Sequence, residues 1–375
     1  MADDPLYYWD YLQLDKLLGA QERESAKRGT PAHDEMLFII VHQAFELWFK
    51  QILFELDAVL DVMGRDVVPE EAMGRVVQRL ERITEIQRLL IGQIDVLETM
   101  TPLDFLDFRD YLVPASGFQS VQFRLLENRL GLSPRYRLKI SGAAYTSVLV
   151  GEHVDQLEAS EQEPSLSDHT ERWLERTPFL SFGGFDFWSA YRDTVSAMLS
   201  AERRTIAEHP NLDEPERGAQ LAAFAETEAD FETLFDRERY EDLRAKGKRR
   251  FSQRAFLAAL LVSLYRDAPI FQLPYQFLTA LIDIDEGFTA WRQRHALLAH
   301  RMIGGKTGTG GTSGHAYLDA AARRHRVFQD LFELPTFFVP RSRLPELPAE
   351  VARQMDFSYA PGGSSAAEDP SRVGP

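Results

Sequence analysis

Residues 33–57, HDEMLFIIVHQAFELWFKQILFELD, constrain this chain more than any other stretch. The run is too long for an ordinary strand, and its apolar residues recur at helical intervals. It reads as one long helix that needs cover over most of its circumference. A single imidazole, His42, interrupts it. Phe38 precedes His42 by four residues, and Phe45 and Phe49 follow it by three and seven, all on the face His42 occupies. A titratable ring in an aromatic stripe has two readings. It is a core histidine satisfied by a neighbour, or it faces a ligand pocket. For a lone histidine on an apolar helix the first is the commoner.

Helical periodicity runs through the rest of the chain. Residues 6–28, 33–64, 70–99, 186–208, 216–246, 252–266, 273–304 and 315–334 read as helices. Pro114 and Gly117 break the chain before FQSVQFRLLENRLG, a further helix with a glycine exit. Residues 158–171 are polar and acidic and read as a surface insertion. There is no alternating strand pattern and no internal repeat. The fold class expected is all-α: a single large helical domain over residues 1–340, with a bundle core and extra helices. Residues 341–375 are rich in Pro, Gly and Ser and are expected to form a disordered tail.

Composition narrows the chemistry. The formal net charge is −16, which argues against nucleic-acid and anionic-membrane partners, since both select basic surface. Cysteine is absent, which removes disulfides, thiolate nucleophiles and Cys-ligated metal centres. The amino terminus, MADDPLYYWDYLQLDK, lacks the basic start and apolar run of a signal peptide. No stretch offers some 18 uninterrupted apolar residues, so no membrane span and a cytoplasmic location are expected.

Without cysteine, histidine is the obvious strong ligand for a redox metal or haem iron. His42 and His295 lie on separate apolar helices, and Trp291 shares a helical face with His295 one turn earlier. Each histidine alone reads more readily as core. His33, His153, His169, His209, His315 and His325 have polar neighbours and read as solvated or capping. In LDFLDFRDYL, Phe105 and Arg109 stand one turn apart. A ring beside a guanidinium suits an aromatic amino acid, with its carboxylate on the arginine. A surface pair of Arg109 with Asp107 or Asp110 is the plainer alternative. GGKTGTGGTSG is not a phosphate loop, because the glycine required five residues before Gly305 is His300. It reads as a flexible loop, or as a lid in which Thr309 offers polar groups to a ligand. Tyr8 and Tyr11 read equally as a helix staple or as ligand contacts.

Taken together and in order, HDEMLFIIVHQAFELWFKQILFELD, LETMTPLDFLDFRDYLVPASGFQSVQFRLLENRLG, WLERTPFL, FQLPYQFLTALIDIDEGFTAWRQRH and GGKTGTGGTSG resemble the tryptophan 2,3-dioxygenase family, from about Tyr8 to about Pro340. The resemblance implies an all-α protein with one haem b per subunit, assembled as a homotetramer. It implies insertion of both atoms of O2 across the indole C2–C3 bond of L-tryptophan to give N-formyl-L-kynurenine, the first step of tryptophan breakdown. By the same resemblance His295 is the axial ligand of the haem iron, with Trp291 beside it and Ser116 near the haem edge. His42 accepts the indole N–H, Phe38 lines the indole pocket, Phe105 stands beside it, and Arg109 and Thr309 hold the amino-acid end. Tyr8 and Tyr11 belong to an arm, residues 1–30, that reaches a neighbouring subunit. Phe45 stands where some members have tyrosine, so one hydroxyl is missing near the distal pocket. The same motifs fit a haem-dependent monooxygenase of tryptophan derivatives, and a non-catalytic haem or tryptophan sensor is the third alternative.

Overall fold

The computed structural model describes residues 5–139, 142–178, 180–182, 185–306, 308 and 314–355. Three short helices open the chain: α1 (Tyr8–Tyr11), α2 (Leu14–Leu18) and α3 (Glu24–Lys27). The long pair α4 (Glu35–Met63) and α5 (Glu70–Leu97) follows, then α6 (Pro102–Arg109), α7 (Val121–Leu130), α8 (Gly151–Gln162) and α9 (Leu166–Glu175). A two-stranded antiparallel ribbon, β1 (Ser181–Phe182) with β2 (Phe185–Asp186), leads into α10 (Phe187–Ala207) and α11 (Glu214–Phe235). The chain closes with α12 (Arg237–Ala245), α13 (Gln253–Leu264), α14 (Pro269–Ile303), α15 (Gly314–Arg324), α16 (Gln329–Glu333) and α17 (Ala349–Met355). The all-α expectation holds.

Helices α4, α5 and α14 form the frame. On α4 the buried stripe is Val41, Phe45, Phe49, Ile52, Leu56, Val59 and Met63, at steps of four and three residues. On α5 it is Met73, Val76, Leu80, Ile83, Leu90, Ile94 and Leu97. Such spacing places each set on one face and lets the two helices pack along their length. Gln87 occupies a place in the α5 stripe and is 1% exposed. Its amide donates to the Ile284 carbonyl at 2.9 Å, and Gly287 on α14 leaves the space it fills. Helix α14 packs along α5, α15 packs on α14, and α7 packs on α4. Together they surround one large cavity.

By length and hydropathy α4 is the one helix among the described residues that could cross a bilayer. Its inner face is core, while Met36, Ile40, Leu47 and Phe54 remain exposed.

Several boundaries differ from the sequence reading. The first expected helix, 6–28, is three pieces, with Gln13 at φ 53° between the first two. Most of their apolar side chains are exposed, so no packed face within this chain holds a longer helix together. The stretch 216–246 breaks at Asp236, which ends α11 and caps α12 by accepting the Arg239 N–H. The stretch 315–334 breaks after Arg324, where the buried Asp285 carboxylate accepts the N–H groups of Val327 and Phe328 at 2.9 and 2.8 Å. Residues 158–171 are not a surface insertion: Leu166 and Thr170 are fully buried as α9 packs on α13. The expected disordered tail does not hold for its first part: residues 349–355 form α17, with Val351 and Met355 buried in the core. The rest of that stretch lies outside the described residues.

Candidate active site

The cavity encloses about 290 Å³ between α4, α6, α7, α14 and α15. Its wall is largely aromatic. The Phe38 ring lies 4.0 Å from His42 and 5.8 Å from Phe105, centroid to centroid. Phe45 stands edge-on to both His42 and Trp291, and Trp291 is 5.3 Å from His295. Rings packed edge-to-face add specificity to plain burial and keep water from the wall.

His42 is placed by its own helix. Its Nδ1 lies 2.7 Å from the Phe38 carbonyl one turn back. A carbonyl can only accept, so Nδ1 carries the proton and donates, leaving Nε2 as an acceptor. Burial lowers the pKa of His42 from 6.5, against the Phe38 carbonyl and the Glu46 charge. The ring is therefore neutral at pH 7. On α14, His295 is buried more deeply in effect: desolvation pushes its pKa down to about 4, and His42 adds in the same direction. Its Nδ1 is buried with no hydrogen-bond partner among the described residues. A neutral imidazole in an apolar wall, with no hydrogen bond from a described residue to its Nδ1, can serve as a ligand to a metal in the cavity.

Arg109 is placed by a well-capped helix. The Thr101 hydroxyl accepts the Asp104 N–H at 3.3 Å, the Asp104 carboxylate accepts the Thr101 N–H at 3.1 Å, and Pro102 takes the first helical position. That register sets Phe105 and Arg109 one turn apart on the cavity wall. The plainer reading, a pair with Asp110, is present only weakly: Nη1 is 3.4 Å from a carboxylate 84% exposed, whereas the Arg109 side chain is 16% exposed. Ser116 also lines the cavity, and its hydroxyl caps the turn Gly117–Gln119 by accepting the Phe118 N–H.

Phe38, His42, Phe105, Arg109, Ser116, Trp291 and His295 thus meet on one wall system, although they come from four separate parts of the sequence. Tyr8 and Tyr11 do not join them; they are 69% and 68% exposed and lie away from this chain's cavity. Thr309 lies outside the described residues; its neighbour Gly308 lines the cavity.

The model of one family, tryptophan 2,3-dioxygenase, matches residues 2–338. The chain belongs to the tryptophan 2,3-dioxygenase family. It is 51% identical to a tryptophan 2,3-dioxygenase of Bdellovibrio bacteriovorus, over 96% of this chain and 100% of that one. It is 45% identical to the enzyme of that name from Dictyostelium discoideum, over 96% and 90%, and 49% identical to that of Xenopus tropicalis, over 91% and 84%.

In this member of the tryptophan 2,3-dioxygenase family the inner wall carries a charged group that the sequence reading missed. Glu127 on α7 is 3% exposed. It accepts from Arg124 at 3.0 Å and Arg292 at 2.9 Å, with Arg137 at 3.3 Å and His325 Nδ1 at 3.5 Å. Burial by itself would raise the Glu127 pKa, but Arg124 and Arg137 foremost, with His325 and Arg292, hold it well below the ordinary range. His325, expected to be solvated, is 2% exposed. Its Nε2 accepts the Leu138 N–H at 3.1 Å, so its Nδ1 proton faces Glu127. Polar neighbours in sequence misled because burial here comes from α7 and α14. The only local hint was Arg124 and Glu127 spaced three apart inside an otherwise apolar helix.

Proposed function

We propose that this chain is a haem-dependent dioxygenase that inserts both atoms of O2 across the indole C2–C3 bond of L-tryptophan, giving N-formyl-L-kynurenine. One observation carries the reading. One largely apolar cavity has on its wall a buried, neutral imidazole, His295, and, beside the Phe105 ring, the Arg109 guanidinium. His295 would hold the haem iron, and Trp291 and Ser116 would contact the bound group. When bound, the haem iron supplies the redox chemistry for dioxygen.

The chain's own residues would do the positioning. Arg109 takes the substrate carboxylate with its planar fork. Phe38 and Phe105 flank the indole, and Nε2 of His42 accepts the indole N–H. Because His42 is already a neutral acceptor with its proton held by Phe38, it orients the ring without having to remove a proton. Phe45 and Trp291 exclude water from the reacting face. Fixing one face of the indole against the oxidant converts an encounter into an oriented reaction. A contact from Thr309 to the amino-acid end, the homotetramer and a cytoplasmic location belong to the same proposal and rest on family membership.

The test is product mass. Protein reconstituted with hemin is reduced without air and then given L-tryptophan and 18O2. Gain of two labelled oxygen atoms is expected. Gain of one would make the chain a monooxygenase, and no turnover with haem bound would make it a sensor.

A further inference from the structure

The chain between the first short helices and α4 folds back on α4 and is tied down by a carboxylate that the reaction does not use. Glu35, in the first turn of α4, is 1% exposed. One of its oxygens accepts the Glu24 N–H at 2.8 Å, and the other accepts the Ser25 N–H at 3.0 Å together with the Ser25 hydroxyl proton. Ser25 is fully buried, and its oxygen in turn accepts the Ala32 N–H at 2.9 Å. About two turns further along α4, the Gln43 amide donates to the Ala20 carbonyl at 3.0 Å and accepts from Gln21 at 2.7 Å. Residues 20–32 therefore form an elbow fixed to α4 at two points, with Phe38 and His42 on the stretch of helix between them.

The other side of the elbow meets the helix that carries Arg109. Tyr111 stands two residues after Arg109, and its N–H donates to the Phe108 carbonyl at 3.0 Å, so it continues the last turn of α6. Its hydroxyl lies 3.0 Å from the Thr30 hydroxyl, and the Arg28 guanidinium lies over its ring, 5.0 Å from the centroid. Between α4 and α6 themselves Phe38 packs its ring on Phe105 and Phe108, at 5.8 and 5.6 Å between centroids. Ring pairs are satisfied over a range of offsets, whereas hydrogen bonds weaken steeply off their line. The rings keep the two helices together, and the elbow ties fix where one stands relative to the other. Glu35, Tyr111 and the elbow residues all stay outside the cavity lining.

We propose that Glu35 and Tyr111 are positioning residues: by clamping the elbow to α4 and docking it on the end of α6, they set the span from Arg109 to His42 across which the substrate is held. This rests on the tryptophan reading given above and adds to it residues that never touch the ligand. In that reading the amino acid is gripped at both ends, its carboxylate at Arg109 and its indole N–H at His42. The gap between α4 and α6 then has to match the length of one molecule. A misplacement of about 1 Å between such groups is costly for an oriented reaction. The buried Glu35 carboxylate anchors the brace, and the Tyr111 hydroxyl is its contact with α6.

The test uses the full-length holoprotein. Tyr111→Phe and Thr30→Val each remove one partner of the hydroxyl pair, and Thr30→Ser keeps it. The first two are expected to raise KM for L-tryptophan about 3- to 10-fold with kcat changed less than about twofold, the range for one hydrogen bond and the pattern of lost uniform binding. The double variant should be no worse than either single one, and Thr30→Ser should match the unmodified chain. In an Arg109→Ala background neither substitution should raise KM further, since the arginine they place is gone. The same factor persisting in that background, or an unchanged KM in both variants, overturns the proposal. So does a fall in light-scattering mass that tracks KM, which would assign the effect to the arm's contact with a neighbouring subunit. Glu35→Gln gives a readout independent of turnover: hydrogen exchange at the amides of residues 105–112 should quicken about 3-fold or more while α5 keeps its rate. Unchanged exchange there overturns the clamp. If Glu35→Gln does not fold, Ser25→Ala, which removes one of its donors and keeps the backbone bonds, takes its place. An unmodified, haem-loaded chain that leaves L-tryptophan untouched overturns the dioxygenase reading, and the exchange rates then decide the brace by themselves.

Discussion

At the scale of single residues, the site works by removing choices. His42 has its Nδ1 proton committed to Phe38, so only one ring nitrogen is open to the cavity. Arg109 is largely buried, at 16% exposed, while the Asp110 carboxylate it meets at 3.4 Å is 84% exposed. Arg109→Ala is expected to raise KM for L-tryptophan roughly 30- to 150-fold, the loss of one charge-assisted contact, with a normal Soret spectrum. Steady-state kinetics at fixed oxygen checks this, and an unchanged KM removes Arg109 from the site. Glu127 makes a pH prediction. Its carboxyl is ionised in the folded state at pH values where the unfolded chain, near the ordinary value of 4.5, already binds the proton. The stability it contributes is therefore present above pH 4.5 and lost as pH falls through the lower folded value. Glu127→Gln should lower the unfolding free energy at pH 7 by on the order of 3 kcal/mol, read as a lower urea midpoint, because the buried guanidiniums lose their counter-charge. It should also flatten the fall in midpoint below pH 4.5. A parallel acid profile in the variant would show that other carboxylates set it.

At the scale of elements, helix packing decides where the site residues stand. Helix α14 carries both Trp291 and His295, and its line is set by contact with α5. That contact depends on Gly287. A Cβ there would come within 2.3 Å of Gln87 Oε1, and Gln87 is buried and tied to the Ile284 carbonyl. Gly287→Ala is expected to destabilise the protein by about 1–3 kcal/mol, because Gln87 must give up that bond or the helices must part. Combining it with Gln87→Ala should recover part of the loss. Denaturant titration of the two single variants and the double variant measures the coupling, and strict additivity would mean that the two residues do not meet. Pro274 teaches a related lesson. The helix read from residue 273 in fact begins at Pro269 and runs through Pro274. A proline at the first helical position has no lost bond, and one in the second turn frees only the Ile270 carbonyl.

At the scale of the whole molecule, the arm and the outer face of α4 are apolar and uncovered within one chain. Tyr8 and Tyr11 stand clear of the surface beside exposed Leu6, Tyr7 and Trp9. Their use as contacts to a neighbouring subunit predicts a light-scattering mass four times that of one chain. Removing residues 1–19 should lower that mass and raise KM together; a monomer of full activity would end the shared-pocket role. The all-helical class, the long helices α4 and α5, and the pairing of Phe105 with Arg109 were legible from the order of residues, because periodicity and caps are local properties. So were His42 and His295 as candidates, since an imidazole in an apolar stripe is visible without a fold. What only the tertiary structure decided is non-local. It broke the helix after Arg324 by way of Asp285, and it turned His325 from a surface residue into a partner of Glu127. Burial and charge pairing arise between segments that lie 165 residues apart, as Glu127 and Arg292 do, and no window along the chain contains both.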